Sequence, residues 1–233
     1  MKLTHDQIQQ LYKFTRAHYV EHYDLQTELV DHLANGIEQL QEETLSLTFQ
    51  EALNYEFNKF GVFGFHEVIK KRKKSMGKRY WSHILKFYRE YFQLPRILLV
   101  FSLSGLLFFI LQLIMPEYRF ITITLLYFVI GIYFLFKANN NKKLYRSRLG
   151  IKKRWMLEEK IFDLGEWAQM AIFPMYFFNT LVSFEYSIVN PFLEAGICVF
   201  TVCYLILCYV MVFVIPTKAE KLLEETYPEY KLL

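Results

Sequence analysis

The sequence predicts an all-α architecture: a small cytosolic helical bundle followed by four transmembrane helices in two hairpins. Three observations lead there. First, charge is sharply partitioned. Residues 1–67 carry four Lys or Arg against eleven Asp or Glu, a net of −7, and residues 68–96 carry ten against one, a net of +9. Second, four uncharged apolar stretches follow, at 97–115, 120–136, 168–184 and 195–215. Each reaches the roughly 17–25 residues that cross about 30 Å of hydrocarbon at 1.5 Å per residue. Third, cations flank alternate stretches: nine lie in 137–166, one in 116–119 and none in 185–191. Short-loop Lys/Arg bias puts both termini and the central link on the cytosolic side and the two short turns outside. Residues 1–25 lack an apolar core, so no secretory signal is expected.

The chain therefore divides into an acidic helical module (1–67), a basic juxtamembrane helix (68–96), a first hairpin (97–136), a basic cytosolic link (137–166), a second hairpin (167–215) and a cytosolic tail (216–233). In the module, Thr4 and Gln7 fit a capping box opening a first helix, with Ile8, Leu11, Tyr12, Thr15 and Tyr19 at helical spacing. Asp24 is expected to cap a second helix that carries Leu25, Leu29, Leu33, Ile37 and Leu40. Thr48 and Glu51 open a third, with Leu53, Phe57 and Phe60 on one face, and Gly61 and Gly64 stop it. A fourth helix begins near Phe65, runs through the basic segment and breaks at Pro95.

The stretches "YDLQTELVDHLANGIEQ" and "LTFQEALNYEFNKFG" resemble the HAAS-type helical signalling module, which precedes membrane spans in many bacterial proteins. Glu28, His32, Glu51, Ala52 and Gly61 fall on the matching positions, and the closing turn departs from the pattern in having no Pro after the glycine. The resemblance implies a regulatory or interaction module without catalysis.

Candidate chemistry is sparse. His18 and His22 are expected four residues apart on one helix, as are Glu28 and His32, with Asp31 adjacent. Two such pairs could meet a divalent cation. The simpler expectation is that "EHYD" closes a helix and "ELVDH" supplies hydrogen bonds, with no metal bound. Glu28, Asp31 and His32 are the candidate partner-binding residues. Lys70, Lys71, Arg72, Lys73, Lys74, Lys78 and Arg79 suit an anionic inner leaflet better than nucleic acid, because aromatic residues of the headgroup zone follow them. Asn179 and Glu194 are the intramembrane polar candidates, and Glu194 is expected to reach external water from its first helical turn. Leu149, Trp155, Phe162 and Trp167 suit either an interfacial helix or a solvated connector. Cys198, Cys203 and Cys208 advance about 140° per step around one helix and read as packing residues.

No phosphate loop, nucleophile elbow or zinc-protease motif is present, so no enzyme and no cofactor are expected. The sequence points to a regulatory or scaffolding membrane protein with a cytosolic protein partner, able to self-associate. A small oligomeric transporter or channel component is the alternative.

Overall fold

The computed structural model describes residues 2–44, 46–149, 153–163 and 191–232. All regular structure among them is helical. The elements are α1 (His5–Ala17), α2 (Tyr23–Glu43), α3 (Phe49–Asn58), α4 (His66–Arg89), a 3-10 turn (Glu90–Phe92), α5 (Arg96–Gln112), α6 (Pro116–Leu149), α7 (Met156–Phe162) and α8 (Pro191–Tyr209). A π turn (Val210–Val214), a short helical turn (Ile215–Thr217), α9 (Ala219–Thr226) and a 3-10 turn (Pro228–Leu232) complete the chain. Two compact units result. The first comprises Met1–Arg79, Leu149–Lys160 and Thr226–Leu233; the second comprises Tyr80–Arg148 and Ile161–Glu225.

In the first unit α1 and α3 pack against α2. Leu11, Leu25, Leu33, Ile37 and Leu53 lie in its core, each contributing about 1.5–3 kcal/mol on full burial. Both capping boxes form: Thr4 accepts from the Gln7 N–H and Thr48 from the Glu51 N–H, with the Gln7 and Glu51 side chains reaching back. Gly61 and Gly64 end the α3 segment at φ of 76° and 51°. At Gly64 a Cβ would also lie 2.9 Å from the Phe57 ring, so the position excludes a side chain twice over.

The α1–α2 junction differs from the expected one. α1 stops at Ala17, five residues before the N-cap of α2, His22. Tyr19 adopts φ of 64°, its N–H donates to the Arg16 carbonyl, and the Val20 N–H donates to the Thr15 carbonyl. That is a Schellman ending with tyrosine where glycine is usual, which sequence spacing does not signal. His18 and His22 consequently sit on either side of a reversal, not on one helix face. Asp24 is not the cap either: it lies in the first turn of α2, 4% exposed.

In the second unit α5 packs against α8. Leu111, Ile123, Tyr127, Ile197 and Cys198 form the core between α5, α6 and α8. Outward faces of α5 and α6 are apolar and exposed, among them Leu99, Phe101, Leu106, Leu125, Phe128 and Ile132. Helices apolar on every side need a nonaqueous surround. Two helices, Pro116–Ser147 and Pro191–Thr217, are long and apolar enough to cross a membrane. The bent pair His66–Phe92 and Arg96–Gln112, kinked by 78°, makes a third if it counts as one span. The predicted stretch 168–184 lies outside the described residues, together with Asn179 and Trp167.

Two features of this unit correct the sequence reading. The segment 116–119 is the first turn of α6, not a connecting turn, because Pro116 suits the first helical position and Glu117 the positive helix end. Glu194, expected in external water, is 2% exposed. Arg119 Nη1 donates to Glu194 Oε1 at 2.7 Å, and Gln112 Nε2 donates to Glu194 Oε2 at 2.6 Å. Arg119 also donates to the Gln112 side chain and, through Nε, to the Ile114 carbonyl. The carboxylate is therefore sequestered by a charge partner that the expected loop placement hid. Beyond α8, Pro216 cannot supply the N–H that an α-helix would direct to the Val212 carbonyl, and Asn141 Nδ2 donates to that oxygen at 2.8 Å. The π turn at Val210–Val214 belongs to the same adjustment.

Candidate functional site

The most elaborate polar arrangement in the first unit centres on Asp24. As a first-turn residue its carboxylate is favoured by the positive end of α2. It is nearly inaccessible, so its lone pairs need donors from the protein. Two sequence-distant segments provide them, and a third brings a positive charge. Tyr227 of the tail donates its hydroxyl to Oδ2 at 2.9 Å. The Met156 N–H, at the start of α7 in the link, donates to Oδ1 at 3.2 Å. From α4, Arg72 Nε stands 4.0 Å from Oδ2, at ion-pair range, while its Nη1 reaches Glu28 at 3.3 Å.

Aromatic and backbone contacts reinforce the junction. Trp155, 2% exposed, meets Tyr23 at 5.4 Å, Tyr227 at 4.7 Å and Tyr230 at 5.4 Å between ring centroids. The Tyr23 N–H donates to the Arg154 carbonyl at 2.7 Å, and the Lys153 ammonium lies 3.7 Å from the Tyr23 ring centroid. His22 Nε2 pairs with Glu159 at 2.9 Å, and Arg154 pairs with Glu21. The His22 hydrogen bond holds the Glu159 carboxyl below its ordinary range. Burial, then the nearby Asp24 charge, pushes the Tyr227 phenol well above its own.

The candidates read from sequence distribute around this junction. Glu28 is half exposed and holds Arg72, whereas Asp31 and His32 face solvent, His32 with its ring 5.7 Å from Phe60. Lys70, Lys71, Lys73, Lys74, Lys78 and Arg79 are exposed along α4, and Arg72 alone of that run is drawn inward. The four histidine and glutamate candidates for a metal do not converge. His18 Nδ1 donates to the Phe14 carbonyl and the ring packs against Phe57, His22 faces Glu159, and Glu28 faces Arg72. Among the described residues no group of three or more His, Cys, Asp or Glu is placed to hold a metal ion. Trp155 is neither interfacial nor in a solvated connector: it is buried because Tyr23, Tyr227 and Tyr230 enclose it. Phe162 stacks on Tyr145 within the second unit.

Sequence reasoning missed Asp24, Met156 and Tyr227 as a set, since Met156 and Tyr227 stand 132 and 203 positions from Asp24. The available signal was compositional: aromatic Trp155, Tyr227 and Tyr230 stand in otherwise polar segments. No family model, curated protein or solved structure matches this chain.

Proposed function

We propose that the chain is a non-catalytic regulatory or scaffolding protein of a bacterial plasma membrane, with four spans in two hairpins and both termini cytosolic. The Asp24 junction is the observation that carries this reading. It gathers the start of α4, the link and the tail into one unit. Each of these segments adjoins, in the chain, a stretch proposed to cross the membrane.

Connectivity supports the span count. On this reading the three pieces of the first unit share one side of a bilayer, and each intervening stretch crosses an even number of times. With one crossing at Pro116–Ser147 and another at Pro191–Thr217, each stretch needs a companion. α5 serves for the first, and the apolar 168–184 serves for the second. A unit assembled from all the cytosolic ends can couple a partner's binding to the spans. Glu28, Asp31 and His32 form the proposed partner face, consistent with the HAAS resemblance. The exposed cations of α4 favour an anionic inner leaflet by about 1 kcal/mol each near its surface.

The transporter alternative gains nothing from the Glu194 cluster of the described residues. Arg119, Glu194 and Gln112 spend their hydrogen bonds on one another. Photo-crosslinking from residue 31 or 32 in the full chain in cells tests the proposal. A discrete cytosolic protein adduct is expected; flux in proteoliposomes with no adduct would overturn it.

A further inference from the structure

The kink before α5 sets the direction of the second half of α4, which belongs with α5 to the second unit. The helix ending at Phe92 meets α5 at 78°. With α5 crossing the bilayer, the helix before the kink runs nearly parallel to the membrane plane. Two ring contacts give its depth. The Tyr91 ring centroid lies 6.4 Å from that of Tyr209, and the Lys218 ammonium lies 4.2 Å from the Phe87 ring centroid. Tyr209 and Lys218 bracket the end of the Pro191–Thr217 helix, where a span leaves the hydrocarbon.

One face of this half-helix is covered by protein, with Tyr80, Ile84 and Phe87 buried. Ser82, Leu85, Lys86, Arg89 and Phe92 form an exposed stripe at helical spacing. Apolar side chains and cations share that stripe, as on a helix lying half sunk at a headgroup boundary. We propose that the second half of α4 lies in the plane of the inner leaflet and that Lys86 and Arg89 hold the phosphate of an anionic phospholipid. This deepens, and rests on, the reading of α5 as a crossing: it adds an in-plane orientation and a headgroup site to the general attraction of α4 for the leaflet.

Charge accounting and surface continuity select the occupant. Glu90 is held by Arg96 at 3.2 Å, and Arg96 also lies 5.4 Å from the Tyr91 ring centroid. Lys86 and Arg89 complement the negative end of α4 and form no ion pair with a carboxylate among the described residues. Three positions apart, they are neighbours on the helix surface, so a guanidinium fork and an ammonium can meet one phosphate. The apolar part of the stripe continues through Leu94 into Leu98 and Leu99 of α5, 81%, 60% and 62% exposed. A cytosolic partner could cover α4 but not this run into a crossing helix, whereas lipid covers both.

The test places spin labels at Ser82→Cys or Gln93→Cys in the full chain without its native cysteines, in nanodiscs, and reads depth from oxygen and nickel-chelate accessibility. In mixed phosphatidylglycerol and phosphatidylcholine, both labels are expected at headgroup depth, within about 5 Å of each other. A helix descending away from the bilayer would separate them by about 15 Å at 1.5 Å per residue. Lys86→Gln with Arg89→Gln, and separately phosphatidylcholine alone, should shift both labels several ångströms toward water. Millimolar inorganic phosphate should shift neither. The proposal fails if the labels differ by the larger depth or both sit in bulk water. It also fails if neutral lipid or the double variant leaves their depth unchanged, or if free phosphate displaces them as the double variant does. Depth in a nanodisc is blind to sidedness, so a wrong topology or a missing cytosolic partner would leave this result standing.

Discussion

Removing the Asp24 carboxylate should release the link and tail from the helical module without dissolving α1–α3. In Asp24→Ala, the Met156 N–H loses its buried acceptor, a loss of about 1–3 kcal/mol. The Tyr227 hydroxyl loses its carboxylate too, but the Met76 sulfur 3.4 Å away remains as a weak acceptor, so the lower end of that range applies. Arg72 keeps Glu28. The sum, about 3 kcal/mol, is a large part of the roughly 5–15 kcal/mol that stabilises a domain. At about 1.4 kcal/mol per decade it corresponds to roughly hundredfold faster opening. Amide hydrogen exchange on the full chain reads this directly, in peptides covering 153–162 and 226–232. Asp24→Asn retains one acceptor oxygen and should show about half the free-energy effect. Unchanged exchange of both peptides in Asp24→Ala would refute the reasoning.

Three further perturbations have defined outcomes. The raised Tyr227 phenol contributes stability that is complete below the ordinary phenol pKa of about 10 and is lost as pH climbs past it. The protection of 226–232 relative to intrinsic base-catalysed exchange should therefore fall as pH rises past the ordinary phenol range in the native chain, and should not show that extra fall in Tyr227→Phe. Glu194→Ala strands Arg119, 11% exposed, at a cost of about 3–5 kcal/mol. Replacing Glu194 and Arg119 together by apolar residues should restore most of the thermal stability in detergent. Tyr19→Gly relieves a left-handed tyrosine and should stabilise the first unit by about 1 kcal/mol in denaturant unfolding followed at α1.

What the sequence made legible was local. The capping boxes at Thr4 and Thr48, the stops at Gly61 and Gly64 and the apolar stretches seen as α5, α6 and α8 are each encoded within a few residues of where they act. The end of α1 escaped because a tyrosine occupies a glycine's conformation, and only the Arg16 and Thr15 carbonyls reveal it. Glu194 was misplaced because its partner, Arg119, stands 75 positions earlier on a segment that reads as a turn. Asp24 read as an ordinary cap for the same kind of reason: helix grammar describes its neighbours in sequence, while its function in the fold comes from Met156 and Tyr227, 132 and 203 positions away. The carbonyl of Val212 is intermediate. Pro216 announces the disturbance, but nothing local indicates that Asn141 answers it.

The account rests on the helical module, the link and the tail occupying one face of a bilayer, with the 113–115 turn on the other. The direct measurement is labelling by a membrane-impermeant thiol reagent in a background lacking Cys198, Cys203 and Cys208, with His32→Cys, Glu158→Cys, Glu229→Cys or Glu117→Cys introduced singly. Intact cells should label position 117 alone, and permeabilised cells should label 32, 158 and 229 as well. Labelling of any of those three in intact cells, or protection of 117 until the membrane is opened, would contradict it.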